Sequence, residues 1–161
     1  MFSNLFKKKE KNNEILAVVD GQLMSLEHSE DEVFKDKMMG DGFFIKPESE
    51  KIYSPVSGTI SSFFPTKHAF TILSDNNVDI LIHIGRNTVE LEGRPFDINL
   101  VEGQKIKAGE LIGTVNFKEI IEAGKGTEVY VLFPELTEIN NFSIEDEKQL
   151  LHGEVVVKFK Y

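Results

Sequence analysis

From Ile15 onward the apolar residues of this chain come in short runs rich in Val, Ile and Phe, and Gly, Asp or Asn interrupts them every few residues. That pattern leaves little room for long helices and predicts many short strands. The runs are Ile15–Val19, Gly42–Lys46, Thr59–Phe64, Ala69–Leu73, Val78–Ile84, Leu111–Phe117, Glu128–Phe133 and Glu154–Tyr161. Between them stand turn signals such as Asp20-Gly21, Ser57-Gly58, Asp75-Asn76-Asn77 and Ala108-Gly109. The expected class is all-β, an antiparallel barrel or sandwich. Helix is sparse: Lys118–Ala123 makes a turn or two, and Ser143 with Asp146 caps a short helix that runs to His152 and stops at Gly153.

The chain also repeats itself. LAVVDGQLMSLE (Leu16–Glu27) lines up with YSPVSGTISSFF (Tyr53–Phe64) at an offset of 37. Each reads as strand, tight turn at a glycine, strand, so a duplicated hairpin unit is expected. A third such hairpin, EGQKIKAGELIGTV (Glu102–Val115), has the Gly–x–x–x–x–Ala–Gly spacing of lipoyl- and biotinyl-like folds. That spacing informs fold more than function.

At 161 residues there is material for one domain with a real core, and too little for two. Residues 1–13 read as a flexible basic tail, with Lys7, Lys8, Lys9 and Lys11 after Phe2, Leu5 and Phe6; at most it touches an anionic membrane surface weakly. Residues 14–161 form the domain. The net charge is -9 despite that tail, so the body is strongly acidic. An acidic body argues against nucleic acid and suits a basic protein partner. No Cys occurs, which excludes disulfides and thiolate metal sites and agrees with a cytoplasmic location. No apolar run reaches the roughly 18 residues that span a bilayer.

Four histidines are present. His28 lies in an acidic loop and His152 near an expected helix end, and structural roles suffice for both. His68 and His83 sit in apolar strands. In VDILIHIG, Val78, Ile80, Ile82 and Ile84 share one face, while Asp79, Leu81, His83 and Gly85 share the other. His83 therefore turns away from an all-aliphatic face, and Gly85 is expected to leave open space beside it. His68 shares a face with Phe70 and Ile72. Two imidazoles in neighbouring strands support two chemistries. A neutral imidazole attacks phosphorus near pH 7, forming a labile phosphoramidate that a second imidazole can steady by a hydrogen bond. The same pair could hold zinc. The His–x–x–x–Asp and His–x–His of a lysostaphin-type peptidase are missing, because Ile72 and Gly85 occupy those positions. A modifiable lysine at a hairpin tip is missing too.

VFKDKMMGDGFFIKP (Val33–Pro47), PVSGTI (Pro55–Ile60), FPTKHAFTI (Phe64–Ile72), LIHIGRNTVELEGRPF (Leu81–Phe96) and EGQKIKAGELI (Glu102–Ile112) together resemble the glucose-type enzyme IIA family of the phosphoenolpyruvate-dependent sugar phosphotransferase system. The resemblance runs from about Ile15 to Val131. It implies a fold of the duplicated hybrid motif type and the role of phosphocarrier in sugar uptake, with phosphorylated HPr as donor and a sugar-specific IIB domain or IIBC permease as acceptor. His83 matches the phosphorylated histidine, His68 the second active-site histidine, Thr66 a threonine that hydrogen-bonds there, and Asp31 an acidic residue at the rim. Val33, Phe34, Met38, Met39, Phe64 and Leu81 match the apolar patch that docks partners. No cofactor is required beyond the phosphoryl group. A second reading is a regulatory module that binds transporters or kinases, with zinc held by His68 and His83 at the interface.

Two positions depart from the family pattern. Asn87 stands where an aspartate is usual, and Arg86 where an apolar residue is usual. Together they are expected to make this corner more positive, with Arg86 adding a cation near the phosphoryl site, and so to weaken HPr docking or change the preferred partner. After Val131 the resemblance fades, at Leu132-Phe133-Pro134-Glu135.

Overall fold

The computed structural model describes residues 14–136 and 144–158. The expected tail lies outside them, as do Ser143 and the last three residues of the final expected strand. Thirteen strands are described: β1 (Glu14–Leu16), β2 (Gly21–Ser25), β3 (Asp41–Pro47), β4 (Lys51–Tyr53), β5 (Gly58–Phe63), β6 (Ala69–Ser74), β7 (Asp79–Arg86), β8 (Phe96–Ile98), β9 (Lys105–Ile106), β10 (Leu111–Val115), β11 (Gly126–Phe133), β12 (Lys148–Leu150) and β13 (Val155–Lys158). Two short helices join them, α1 (Glu32–Lys35) and α2 (Phe117–Glu122), with 3-10 turns at Leu26–His28 and Thr88–Leu91. The all-β expectation holds. Eight strands form one sheet in the order β12-β2-β3-β11-β7-β6-β5-β9; β4-β10-β8 and β1-β13 make two smaller sheets.

The period of two places the core. Ile80, Ile82 and Ile84 of β7 bury beside Val129, Val131 and Phe133 of β11 and Phe43 and Ile45 of β3, in the main core. The other face of the same strands carries Leu81, Tyr130, Leu132 and Phe44, which with Ala69 of β6 and with Met24, Leu26 and Phe34 form a second, smaller cluster. His83 lies on this second face, as the alternation in Val78–Ile84 predicts; His68 does not share the face of Phe70 and Ile72, which lie in the main core, because it precedes β6 and turns its ring to His83.

The repeat is real, but its units are not hairpins. β1 pairs with β13 and β2 with β3 and β12; β4 pairs with β10 and β5 with β6 and β9. In the third unit, likewise, β9 pairs with β5, and β10 with β4 and β8. The residues read as tight turns are crossings between sheets. Their backbone groups bond to one another instead: Leu16 N–H donates to Pro55 O at 3.0 Å, and Tyr53 N–H to Val18 O at 2.8 Å. These two bonds exchange under the offset seen in the sequence. Ala17 is bonded to Glu154 and Gly153 as Ser54 is to Glu110 and Gly109. The two halves meet where β7 and β11 pair, with Ile82 opposite Val131 and Leu81 opposite Leu132. Gly42 faces Leu132 across β3–β11 as Ala69 faces His83 across β6–β7. The duplication therefore puts a leucine where the other half has its imidazole.

Ile82 is fully buried at that junction. Ile82→Ala is expected to cost about 3 kcal/mol, from lost transfer energy plus a cavity that two paired strands cannot collapse around. Urea unfolding of the variant measures it, and a loss under about 1 kcal/mol would contradict the packing argument.

The expected helix up to His152 is a turn followed by β12. Leu150 pairs with Gly21 at the sheet edge, and Glu147 takes a left-handed φ of 63°, which no helix interior accepts. Asp146 ends a strand rather than starting a helix: its Oδ1 accepts Ser25 N–H at 2.7 Å. α2 is as expected within a residue, with Asn116 Oδ1 capping Glu119 N–H at 3.1 Å; Phe117 opens it rather than ending β10. The sequence reading missed α1. Its start signal is Asp31, whose Oδ1 accepts Val33 N–H at 2.9 Å.

Candidate functional site

His68, just before β6, and His83, on β7, are brought together by antiparallel pairing. Ala69 lies opposite His83, and Ile84 N–H donates to His68 O at 2.7 Å. The two rings meet edge to face, centroids 5.1 Å apart at 80°. Around them other rings close in. Phe34 of α1 lies 5.1 Å from His83 and stacks on Tyr130 at 4.0 Å; Tyr130 of β11 stands edge-on to His83 at 6.3 Å; Phe64 stands edge-on to His68 at 5.5 Å. Thr66 Oγ1 is 2.6 Å from His68 Nδ1, so the expected threonine bond is present.

Burial sets the charge state. It pushes His83 down to about 4, helped by repulsion from His68 and opposed by the Gly85 backbone and the Asp31 charge. Burial also lowers His68. Both imidazoles are thus neutral at pH 7. His83 Nδ1 is shut away from solvent, and the adjacent Gly85 backbone favours a proton on the ring. A proton on Nδ1 leaves the Nε2 lone pair free as the nucleophile. For His68, a bond from the Thr66 hydroxyl to Nδ1 selects the tautomer with its proton on Nε2, a donor beside His83.

Gly85 does not leave open space, contrary to expectation. Its φ is +80°, and a Cβ there would lie 2.4 Å from Thr88 Cγ2 and 2.6 Å from Gly126 O. The space is filled by Thr88, which is buried and donates to Ile84 O at 2.5 Å. Glycine is needed for the backbone turn and for the close approach of β11.

The segment over the site is held by short-range bonds. Ser29 Oγ and Tyr130 Oη are 2.8 Å apart, and Ser29 Oγ accepts Asp31 N–H at 3.1 Å. Tyr130 is raised above its usual range, chiefly by burial, so its hydroxyl stays protonated. Sequence reasoning missed both Ser29 and Tyr130. The available signal for Tyr130 was a single polar-tipped aromatic in the apolar run Val129–Phe133.

Of the expected docking residues, Val33, Met38, Met39 and Phe64 are exposed, Met38 at 72%, and Phe64 stands against the His68 ring. Phe34 and Leu81 are corrected: at 6% and 5% exposure they lie beneath the patch and carry its packing. Arg86 is corrected as well. Its guanidinium is not a free cation at the site, because Glu128 and Glu30 both bond it at 2.9 Å. That corner keeps its acidic excess. Asn87 holds a left-handed φ of 60° at the start of the 3-10 turn, a conformation asparagine tolerates.

Among the described residues the group of three His and carboxylate ligand atoms lying close together is Glu27, His28 and Asp146, away from the His68–His83 pair. His28 Nε2 lies 3.1 Å from Asp146 Oδ2, tying the 3-10 turn to the segment before β12. His152 stacks on Tyr53 at 3.7 Å. Among the described residues no helix is long and apolar enough to cross a membrane.

The comparisons with known proteins agree with this geometry. The family model for the phosphoenolpyruvate-dependent sugar phosphotransferase system, EIIA 1, matches residues 13–139. The chain is 44% identical over 150 residues to the PTS system glucose-specific EIICBA component of Streptococcus pneumoniae, covering 93% of this chain but 21% of that longer protein. It is 42% identical over 123 residues to the glucose-specific EIIA component of Mycoplasma capricolum, covering 76% and 80%. With the same component of Staphylococcus aureus it is 32% identical over 160 residues, covering 98% and 96%. The solved glucose permease IIA from Mycoplasma capricolum superposes with a TM-score of 0.81 at 37% identity, covering 91% of this chain and 95% of that one.

Proposed function

Because the chain belongs to the EIIA 1 family of the phosphoenolpyruvate-dependent sugar phosphotransferase system, we propose that it is a phosphocarrier whose carrier atom is His83 Nε2. The observation that carries the assignment is the edge-to-face pair of neutral imidazoles, with Thr66 hydrogen-bonded to one and burial closing Nδ1 of the other. In the accepting step the bond from phosphorus to the donor breaks as the Nε2–P bond forms. In the second step Nε2–P breaks as the acceptor's bond forms, and His83 returns neutral. His68 Nε2–H bonds the phosphoryl oxygens in both steps, and the dry ring walls strengthen that bond.

The donor is phosphorylated HPr and the acceptor a IIB domain or IIBC permease. The acidic rim and the exposed Val33, Met38, Met39 and Phe64 support a basic partner with an apolar contact face. Zinc is not needed for the transfer. Two imidazoles supply half of a tetrahedral shell, so zinc at this pair takes its other ligands from a docked protein.

The test is intact-mass spectrometry after incubation with phosphoenolpyruvate, enzyme I and HPr, at a pH that preserves phosphohistidine. One added phosphoryl group is expected. No added mass on a folded protein with active donors would overturn the reading and favour a regulatory module.

A further inference from the structure

Arg86 ends β7 three residues after His83, and its side chain runs across to β11. Its Nε donates to Glu128 Oε2 at 2.9 Å, and its Nη2 lies 3.5 Å from Glu128 Oε1. Room for this fork is built into the strand pair. Arg86 stands opposite Gly126, and a Cβ on Gly126 would come within 2.6 Å of both Arg86 Nε and Glu128 Oε2. Gly126 has no positive φ, so clearance for the ion pair is what its missing side chain provides.

The same Nη2 donates to Glu30 Oε2 at 2.9 Å. Arg86 and Glu128 side chains are 22% and 17% exposed, whereas Glu30 is 76% exposed. One end of the bridge is therefore fixed in the sheet, and the other reaches a surface segment. That segment is the approach to the site. Beside Glu30, Ser29 bonds Tyr130; Asp31 caps α1; and α1 lays Phe34 against the His83 ring. A guanidinium suits the task because its planar fork can grip one carboxylate and still donate to a second, which an ammonium does without fixed direction.

We propose that Arg86 is a positioning residue of the phosphoryl-transfer site: by tethering Glu30 to Glu128 it holds the segment Ser29–Phe34 down on the sheet, and with it the acidic rim that a basic phosphoryl donor meets. This rests on the phosphocarrier reading above. Arg86 touches neither ring in this role; it sets where the rim stands when a partner arrives. Docking, rather than the transfer step, is what it governs.

The experiment combines kinetics with amide exchange. Arg86→Ala is expected to raise KM for the phosphorylated donor about fivefold with kcat within about twofold, the size of effect one partly exposed charged pair can give. Arg86→Lys recovers only part of the loss. Glu30→Gln raises KM similarly, and the double variant Arg86→Ala/Glu30→Gln is no worse than either alone, as members of one bridge behave. The Val33 amide, held by Asp31, exchanges about fivefold faster in Arg86→Ala. Additive KM effects, a fall in kcat with KM unchanged, or unaltered Val33 exchange would each overturn the proposal. Should Arg86→Ala fail to fold, Arg86→Lys and Glu30→Gln carry the same comparison. If the protein accepts no phosphoryl group at all, the carrier reading fails, and the exchange measurement still decides whether the tether exists.

Discussion

His83→Gln is expected to lower phosphoryl acceptance at least about 10⁴-fold, because the nucleophile itself is removed and no other imidazole shares its position. Intact mass reads the outcome directly, and a stable adduct on the variant would sink the assignment. The same substitution has a second signature, in stability. The folded pKa of about 4 lies below the ordinary value of 6.5. Between those values the unfolded chain binds the proton that the folded chain refuses. Stability from this group is thus fully present above pH 6.5 and is lost as pH falls toward 4. The full loss is about 3 kcal/mol, at 1.36 kcal/mol per unit. Carboxylates add their own acid dependence, so the useful quantity is the difference between wild type and His83→Gln in urea unfolding at pH 7 and pH 4. That difference should shrink or reverse in favour of the variant on acidification. Equal slopes would mean that the imidazole is not desolvated. An NMR titration of the His83 ring with its midpoint near 6.5 would say the same.

His68→Leu should leave His83 able to take a phosphoryl group but slow each transfer about 10²–10³-fold, the usual cost of losing one directed donor at a developing charge. Leucine fills much of the same space and keeps the site dry, so packing is roughly preserved while the Nε2–H is lost. Thr66→Val tests the arrangement one step further out. It keeps the imidazole but frees its tautomer, and a loss of about tenfold is expected. Rapid-quench transfer from HPr, with circular dichroism as the fold control, separates these effects. Wild-type rates in His68→Leu would show that the second imidazole is wall rather than donor.

Much of this site was legible because it depends on local alternation. The run Val78–Ile84 is strict enough to turn Ile80, Ile82 and Ile84 inward and His83 to the other face. The repeat at an offset of 37 foretold a two-part fold. What it could not foretell was the partner of each strand. Alternation reports which face is buried, whereas pairing is decided between residues such as Ile15 and Val157 that no window contains. The same limit hid the ion pairs of Arg86, whose partners lie at Glu30 and Glu128. It also hid Tyr130, which reaches His83 only because β11 lies next to β7. The helix expected before His152 failed for a related reason. Asp146, expected in its first turn, is satisfied by Ser25 at the end of a distant strand, and long-range pairing outweighs local propensity. Gly85 was misjudged because a glycine that admits a neighbour looks, in sequence, like one that leaves a gap.

The crossing of strands between halves carries a consequence for how the chain reaches its native state. β1 waits for β13, and β2 is flanked by β12. A ribosome that has released the first half has therefore released strands whose partners do not yet exist. The half that holds β1, β2 and β3 closes only through β11, β12 and β13, whereas β4 to β10 pair among themselves except where β7 meets β11. The pairs β2–β3, β5–β6 and β6–β7 are available as the chain emerges, whereas β1 and the outer edge of β2 stay open until its last strands arrive. Such a topology favours slow, all-or-none assembly over stepwise growth.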